Sequence, residues 1–171
     1  MSKHFIISDP HFGHVNMATR RGFSDVYSHD LHIIDKWNSV VTKRDFVWVL
    51  GDFTMEKTSP YYNLDALIGT KFGVLGNHDQ PQHIPELLKY VKKVCGIKTM
   101  GKHKAVLTHC PIHPTELDCR YKFNIHGHVH ENTLLDRRYI NVSCEAVDYT
   151  PQLISNLIEE RNNELRNQEE E

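Results

Sequence analysis

The sequence predicts one α/β domain with mixed β-sheets. Three observations carry this reading. Short apolar runs recur along the chain and stop at polar residues, helical stretches alternate with them in the first half, and strand-like runs dominate the later middle. The 171 residues, 39% hydrophobic and 25% charged, suit a soluble domain with a real core. No internal repeat, low-complexity segment or linker divides it.

Phe5-Ile6-Ile7 is too short for a helix and fits a buried strand that stops at Ser8-Asp9-Pro10-His11. Ser28 is placed to cap a helix reaching Val41, with Leu31, Ile34, Trp37 and Val41 on its apolar face. Phe46–Leu50 is rich in strand formers and ends at Gly51-Asp52. Residues 61–69 read as helical, with Leu64, Leu67 and Ile68 inward. Lys71–Leu75 is a strand before Gly76-Asn77-His78-Asp79. Ile84–Tyr90 reads as a helix, and residues 91–99 and 104–108 as strands, the second ending at Thr108-His109. Residues 121–126 lead into Gly127-His128-Val129-His130, Tyr139–Ser143 is another strand, and Pro151 opens a final helix. The domain spans 1–165, with 166–171 as a frayed, solvated acidic tail.

Charge and composition narrow the function classes. A formal net charge of −2 speaks against a surface that holds duplex nucleic acid by its phosphates. Nucleotides and other compact phosphate esters remain suitable partners. No apolar leader and no membrane-length stretch occurs. The cysteines at 95, 110, 119 and 144 form no CxxC pair and read as reduced thiols in a cytoplasmic protein. The sequence does not set an oligomeric state.

Five apolar runs stop at groups able to bind metal: Asp9-x-His11, Gly51-Asp52, Gly76-Asn77-His78-Asp79, Thr108-His109 and Gly127-His128-x-His130. In open α/β sheets, ligands bind beyond the carboxyl ends of the strands, so loops following different strands converge at one edge. Asp9, Asp52, Asn77, His11, His109, His128 and His130 are too many donors for one tetrahedral zinc and suit two ions sharing a carboxylate. Nitrogen and oxygen donors without thiolate suit Mn²⁺, Fe²⁺, Zn²⁺, Co²⁺ or Ni²⁺ rather than Ca²⁺, with Mn²⁺ the ion expected in vitro. Singly, each residue has a plainer explanation, as a turn residue, a helix cap or a solvated histidine. Recurrence at five strand ends favours the metal.

This order of motifs resembles the calcineurin-like metallophosphoesterases. The opening "SDPHFGH" and the short chain resemble small bacterial and phage phosphohydrolases of that superfamily, and the resemblance spans residues 6 to 143. It implies a four-layer α/β/β/α sandwich with two mixed β-sheets and a dinuclear centre at one sheet edge. By resemblance, Asp9, His11 and His130 bind one ion, Asn77, His109 and His128 the other, and Asp52 bridges them. A bridging water or hydroxide is then the nucleophile, and His78 serves the leaving group as general acid or phosphate donor.

The implied activity is phosphodiester hydrolysis (a cyclic nucleotide, nucleotide or nucleic-acid end), since no insertion is long enough to form a cap domain. The alternatives are a phosphomonoesterase for a nucleotide or small molecule, and a metal-containing binding or scaffold module. Asp52 is followed by Phe-Thr-Met-Glu and Asp79 by Gln-Pro, so the arginine-bearing extensions of the protein phosphatases are missing.

Other side chains have weaker readings. His14, Arg20 and Arg21 are candidates for substrate phosphate, the arginines because guanidinium forks match its oxygens. His126 is placed to support the ligands by its alternation with His128 and His130. His113 is expected to be structural, Cys110 a buried small residue, and His4, His29, His32, His83 and His103 surface residues. Asp79 orients a neighbour or holds its turn.

Overall fold

The computed structural model describes residues 2–54 and 61–169. Its strands are β1 (His4–Ile7), β2 (Phe46–Leu50), β3 (Thr70–Val74), β4 (Val94–Cys95), β5 (Lys98–Met100), β6 (Ala105–Leu107), β7 (Phe123–His126), β8 (Tyr139–Asn141) and β9 (Gln152–Leu153). The helices are α1 (Val15–Arg20), α2 (Val26–Val40), α3 (Ile84–Leu87), α4 (Pro114–Cys119) and α5 (Ile154–Glu169), with a 3₁₀ segment at Tyr61–Ala66.

Period-two alternation places the first sheet between two apolar layers. Phe5, Ile7, Val47 and Val49 pack with Ile33 and Trp37 of α2 and with Leu64. Ile6, Trp48 and Leu50 point the other way and meet Leu107, Phe123 and Ile125 of the second sheet. Burial on both faces is why these strands read as continuous apolar runs. The first sheet has the order β4-β3-β2-β1-β9, parallel except for β9. The second has the order β5-β6-β7-β8, parallel except for β5. Both sheets are mixed. Asn124, between the inward Phe123 and Ile125, reaches the second sheet's outer face and accepts from the Ile112 N–H in the segment leading to α4. That segment lies against this face.

Several boundaries differ from the sequence reading. The expected strand over 91–99 is two strands: β4 joins the first sheet and β5 the second, so the chain changes sheets across Gly96-Ile97. The cap of α2 is Asp25, whose carboxylate accepts from Ser28 N at 2.7 Å. The buried face of α2 carries His29, Asp30, Ile33 and Trp37, and Leu31 is exposed, because Ile33 and Trp37 pack on the first sheet. Residues 61–66 are 3₁₀ rather than α, α3 ends at Leu87, and β9 separates Pro151 from α5. Helices α1 and α4 carry no strong sequence periodicity. The tail expected from 166 continues α5 to Glu169, and residues 170 and 171 lie outside the described residues.

The two sheets are joined at one edge. Ser8 and Ser143 form a parallel bridge, with Ser8 N donating to Val142 O at 2.8 Å and Cys144 N to Ser8 O at 3.0 Å. The carboxyl ends of β1, β2, β3, β6 and β7 all open at this edge.

Candidate metal centre

Five of the seven donors enter through turns that depart from ordinary strand geometry. Asp9, His11, Asp52, His128 and His130 all have positive φ, from 50° to 69°. Non-glycine residues in this left-handed region cost about 1–3 kcal/mol each and persist where surrounding bonds over-determine them. Those bonds are present: Asp9 N donates to Gly51 O (3.2 Å), His11 N to Asp52 O (3.0 Å), and Gly127 N to His109 O (2.9 Å). Close approach also demands glycine at two positions. A Cβ on Gly76 would lie 2.2 Å from Asp52 Oδ1, and one on Gly127 2.2 Å from Asp9 Oδ2. Asp79 ties two of the turns together, accepting from Asp52 N (2.9 Å), Phe53 N (3.2 Å) and Gly76 N (2.8 Å). Burial pushes its carboxyl up to about 6.

The donors gather in two overlapping sets. Ligating atoms of Asp9, His11 and His130 lie within 4.8 Å of one another, as do those of Asp9, Asp52 and His109. Around His109 Nε2 stand Asn77 Oδ1 at 2.8 Å, His128 Nδ1 at 3.2 Å and Asp52 Oδ2 at 3.4 Å. Asp52 Oδ2 is also 3.6 Å from His11 Nε2, so one carboxylate oxygen faces both sets. The other, Oδ1, accepts from His78 N at 2.9 Å and fixes the carboxylate's orientation.

Electrostatics match a cation site. Burial holds the His11 imidazole down at about 3, hence neutral at pH 7. Burial also raises Asp9. His109 is driven the other way: despite burial, the carboxylates of Asp52 and Asp9 and a 2.7 Å bond to Leu50 O lift it to about 9. Burial opposes ionisation of Asp52 too, yet His109 brings it to about 2. Asp9 Oδ1 and both ring nitrogens of His11 are buried with no hydrogen-bond partner among the described residues. Buried polar atoms without partners are costly. A carboxylate oxygen facing imidazole nitrogens in that condition fits a divalent cation.

A chain of buried bonds supports the first set. His130 Nδ1 lies 3.0 Å from Glu145 Oε1, which also accepts from Arg21 Nε at 2.8 Å. Burial raises the Glu145 carboxyl, but His130 and Arg21 outweigh this and hold it at about 2. The ionised carboxylate makes His130 Nδ1 the donor, leaving Nε2 for a metal. Arg21 also donates to Asp9 O (2.8 Å), Pro10 O (3.1 Å) and His29 Nε2 (2.9 Å). His29 must then donate from Nδ1 to Asp30 Oδ1 at 2.8 Å, and Asp30 accepts from Gly13 N and Asn63 Nδ2.

This corrects three readings. Arg21 offers no fork to a substrate phosphate, because its side chain is 1% exposed and four of its five N–H donors face protein acceptors. His29 is fully buried rather than a surface residue. Cys110 is exposed rather than buried, with Sγ within 4.8 Å of ligating nitrogens of His109 and His128.

The other readings fall as follows. Arg20 is exposed and pairs with Glu131 at 2.7 Å. The rings of His14 and His78 lie 5.5 and 5.6 Å from that of His11. His126 is buried with Nδ1 near Gly127 O, and His113 caps α4 through Thr115 N. Glu145 was missed, although it follows β8 as the other donors follow their strands. Asp30 was also missed, and a polar residue inside a helix gives no such signal.

The profile of the calcineurin-like phosphoesterase superfamily domain matches residues 3–144, and the chain belongs to that superfamily. Its chemistry is metal-dependent hydrolysis of phosphate esters. The uncharacterised protein MJ1445 of Methanocaldococcus jannaschii is 35% identical, over 93% of each chain. The Gene 66 protein of Mycobacterium phage D29 is 30% identical, over 85% of this chain and 89% of its own. The solved structure of AQ665 from Aquifex aeolicus, a protein of unknown function, matches 88% of this chain and 95% of its own, with a TM-score of 0.68 at 26% identity.

Proposed function

We propose that the chain is a dinuclear phosphodiesterase. The observation that carries this is Asp52 Oδ2, which stands 3.6 Å from His11 Nε2 and 3.4 Å from His109 Nε2. Asp9, His11 and His130 would hold one ion, Asn77, His109 and His128 the other, and Asp52 both. Such ions supply Lewis acidity toward the phosphate and lower the pKa of water. Mn²⁺ is the ion proposed for assay, since the set is all nitrogen and oxygen. Partial desolvation and the charges of Asp52 and Asp9 raise the thiol pKa of the exposed Cys110, which disfavours the thiolate as a competing ligand.

The protein's own groups have distinct parts. Asp52, oriented by His78 N–H, balances charge between the ions. His78, half-buried beside His11, is proposed to donate a hydrogen bond or proton to the leaving oxygen. His14 is proposed as a further phosphate contact.

The exposure of the site supports a diester. Among the described residues, Asn77 and His128 face solvent while Asp9, His11, Asp52 and His109 are buried, so the site has a protein floor and an open side. An open side tolerates a second ester substituent. No helix among the described residues is long and apolar enough to cross a membrane. A cytoplasmic setting is proposed from the free cysteines. The test is hydrolysis of bis-p-nitrophenyl phosphate against p-nitrophenyl phosphate by Mn²⁺-loaded protein. Faster diester cleavage is expected; faster monoester cleavage would make the chain a phosphomonoesterase.

A further inference from the structure

At the strand ends remote from the metal centre the two sheets part around a cavity of about 890 Å³. Lys3 precedes β1, Trp48 and Phe72 come from β2 and β3, Lys93 precedes β4, and Lys98 and Lys102 come from β5 and the turn after it. From His4 to Asp9 the chain advances five residues, roughly 16 Å at strand rise. None of these groups belongs to the metal centre.

The lining has two chemical parts. Trp48 and Phe72 stack on each other, with centroids 5.0 Å apart and planes inclined by 23°, and the pair, Trp48 buried and Phe72 half-buried, gives the cavity an apolar aromatic floor. Lys98 Nζ stands 5.9 Å from the centre of the Trp48 ring. Lys3, Lys93, Lys98 and Lys102 bring positive charge around this floor, and among the described residues no Asp or Glu lines it. The contrast with the whole chain is sharp, since Asp and Glu outnumber Lys and Arg by 22 to 20.

We propose that this cavity is a second ligand site and that it takes a mononucleotide. Lysines suit the phosphate, and an aromatic floor suits the flat base, which stacks without reading sequence. Its volume lies within the ~300–1,000 Å³ of small-ligand sites. A long strand needs a continuing basic track, which a chain of net charge −2 does not favour. The site is independent of the catalytic reading and fits an effector rather than the substrate undergoing hydrolysis.

The experiment titrates the full-length protein with AMP in EDTA, which prevents turnover, and follows tryptophan fluorescence. Trp48 lines the cavity and Trp37, bonded to Ile68 O on the other face of the first sheet, does not, so Trp48 reports the cavity. Saturable quenching is expected. It should weaken about tenfold or more in Lys98→Glu/Lys102→Glu, less in the milder Lys98→Gln/Lys102→Gln, and not at all in His130→Ala. Mn²⁺-dependent diester turnover without AMP should match wild type in both lysine variants. Adenosine and inorganic phosphate should each bind more weakly than AMP. Absence of saturation at millimolar AMP, or equal quenching in the folded lysine variants, would overturn the site. Loss of quenching in His130→Ala would assign AMP to the metal centre, and phosphate binding as tight as AMP would overturn the nucleotide.

Discussion

Glu145 Oε1 accepts a hydrogen bond from His130 Nδ1 across 3.0 Å, from beyond the last strand of the second sheet. It sets the tautomer of the imidazole proposed as a ligand of the first ion. Carboxylates in this position are worth about 10–100-fold in metal affinity. Glu145→Gln should therefore weaken Mn²⁺ binding at the His130 set by about that factor while the fold survives. Calorimetric Mn²⁺ titration checks this, and unchanged affinity would remove Glu145 from the site.

Arg21 should behave as a brace. Arg21→Met leaves Glu145 and the Asp9 and Pro10 carbonyls without their donor in a buried setting. Removing one partner of a buried ion pair costs about 3–5 kcal/mol. Urea unfolding of the metal-free variant should show a loss of that size, with Arg21→Lys between it and wild type.

Metal binding should release a proton. His109 sits at about 9 in the metal-free protein and must be deprotonated at Nε2 to ligate. Below pH 9, Mn²⁺ affinity should rise about tenfold per pH unit from this group alone. At pH 7, titration in buffers of different ionisation enthalpy should show about one proton leaving. Metal-free stability runs the other way. A pKa raised above its unfolded value contributes fully below ~6.5, and the contribution is lost as pH rises through about 9.

Gly127→Ala should damage the first donor set specifically. Its Cβ would fall 1.9 Å from Ser8 Oγ and 2.2 Å from Asp9 Oδ2. The turn has to shift to relieve this. A fall in Mn²⁺ affinity of about tenfold or more is expected, with a cooperative melt retained.

Much of this centre was legible because its donors follow short buried runs. An apolar strand that stops at Asp, Asn or His is a local signal, and parallel pairing of β1, β2 and β3 brings such ends together. The supports were less legible for physical reasons. Arg21 donates to residues 11, 12 and 124 positions away, and nothing local distinguishes a buried guanidinium from a solvated one. His29 reads as a helix-surface residue because its partner Arg21 is brought to it only by the tertiary fold. The run over 91–99 has strand character throughout, so its division between sheets depends on tertiary pairing.

Asp52 carries the central claim, since its Oδ2 faces an imidazole of each donor set, His11 at 3.6 Å and His109 at 3.4 Å. The most direct measurement counts Mn²⁺ per chain at saturation and records the electron paramagnetic resonance spectrum of the loaded protein. Two ions per chain with an exchange-coupled spectrum are expected, with the coupling lost in Asp52→Asn together with about 10³-fold of turnover. A single bound ion, or two ions whose spectra are independent in the wild-type protein, would contradict the shared centre.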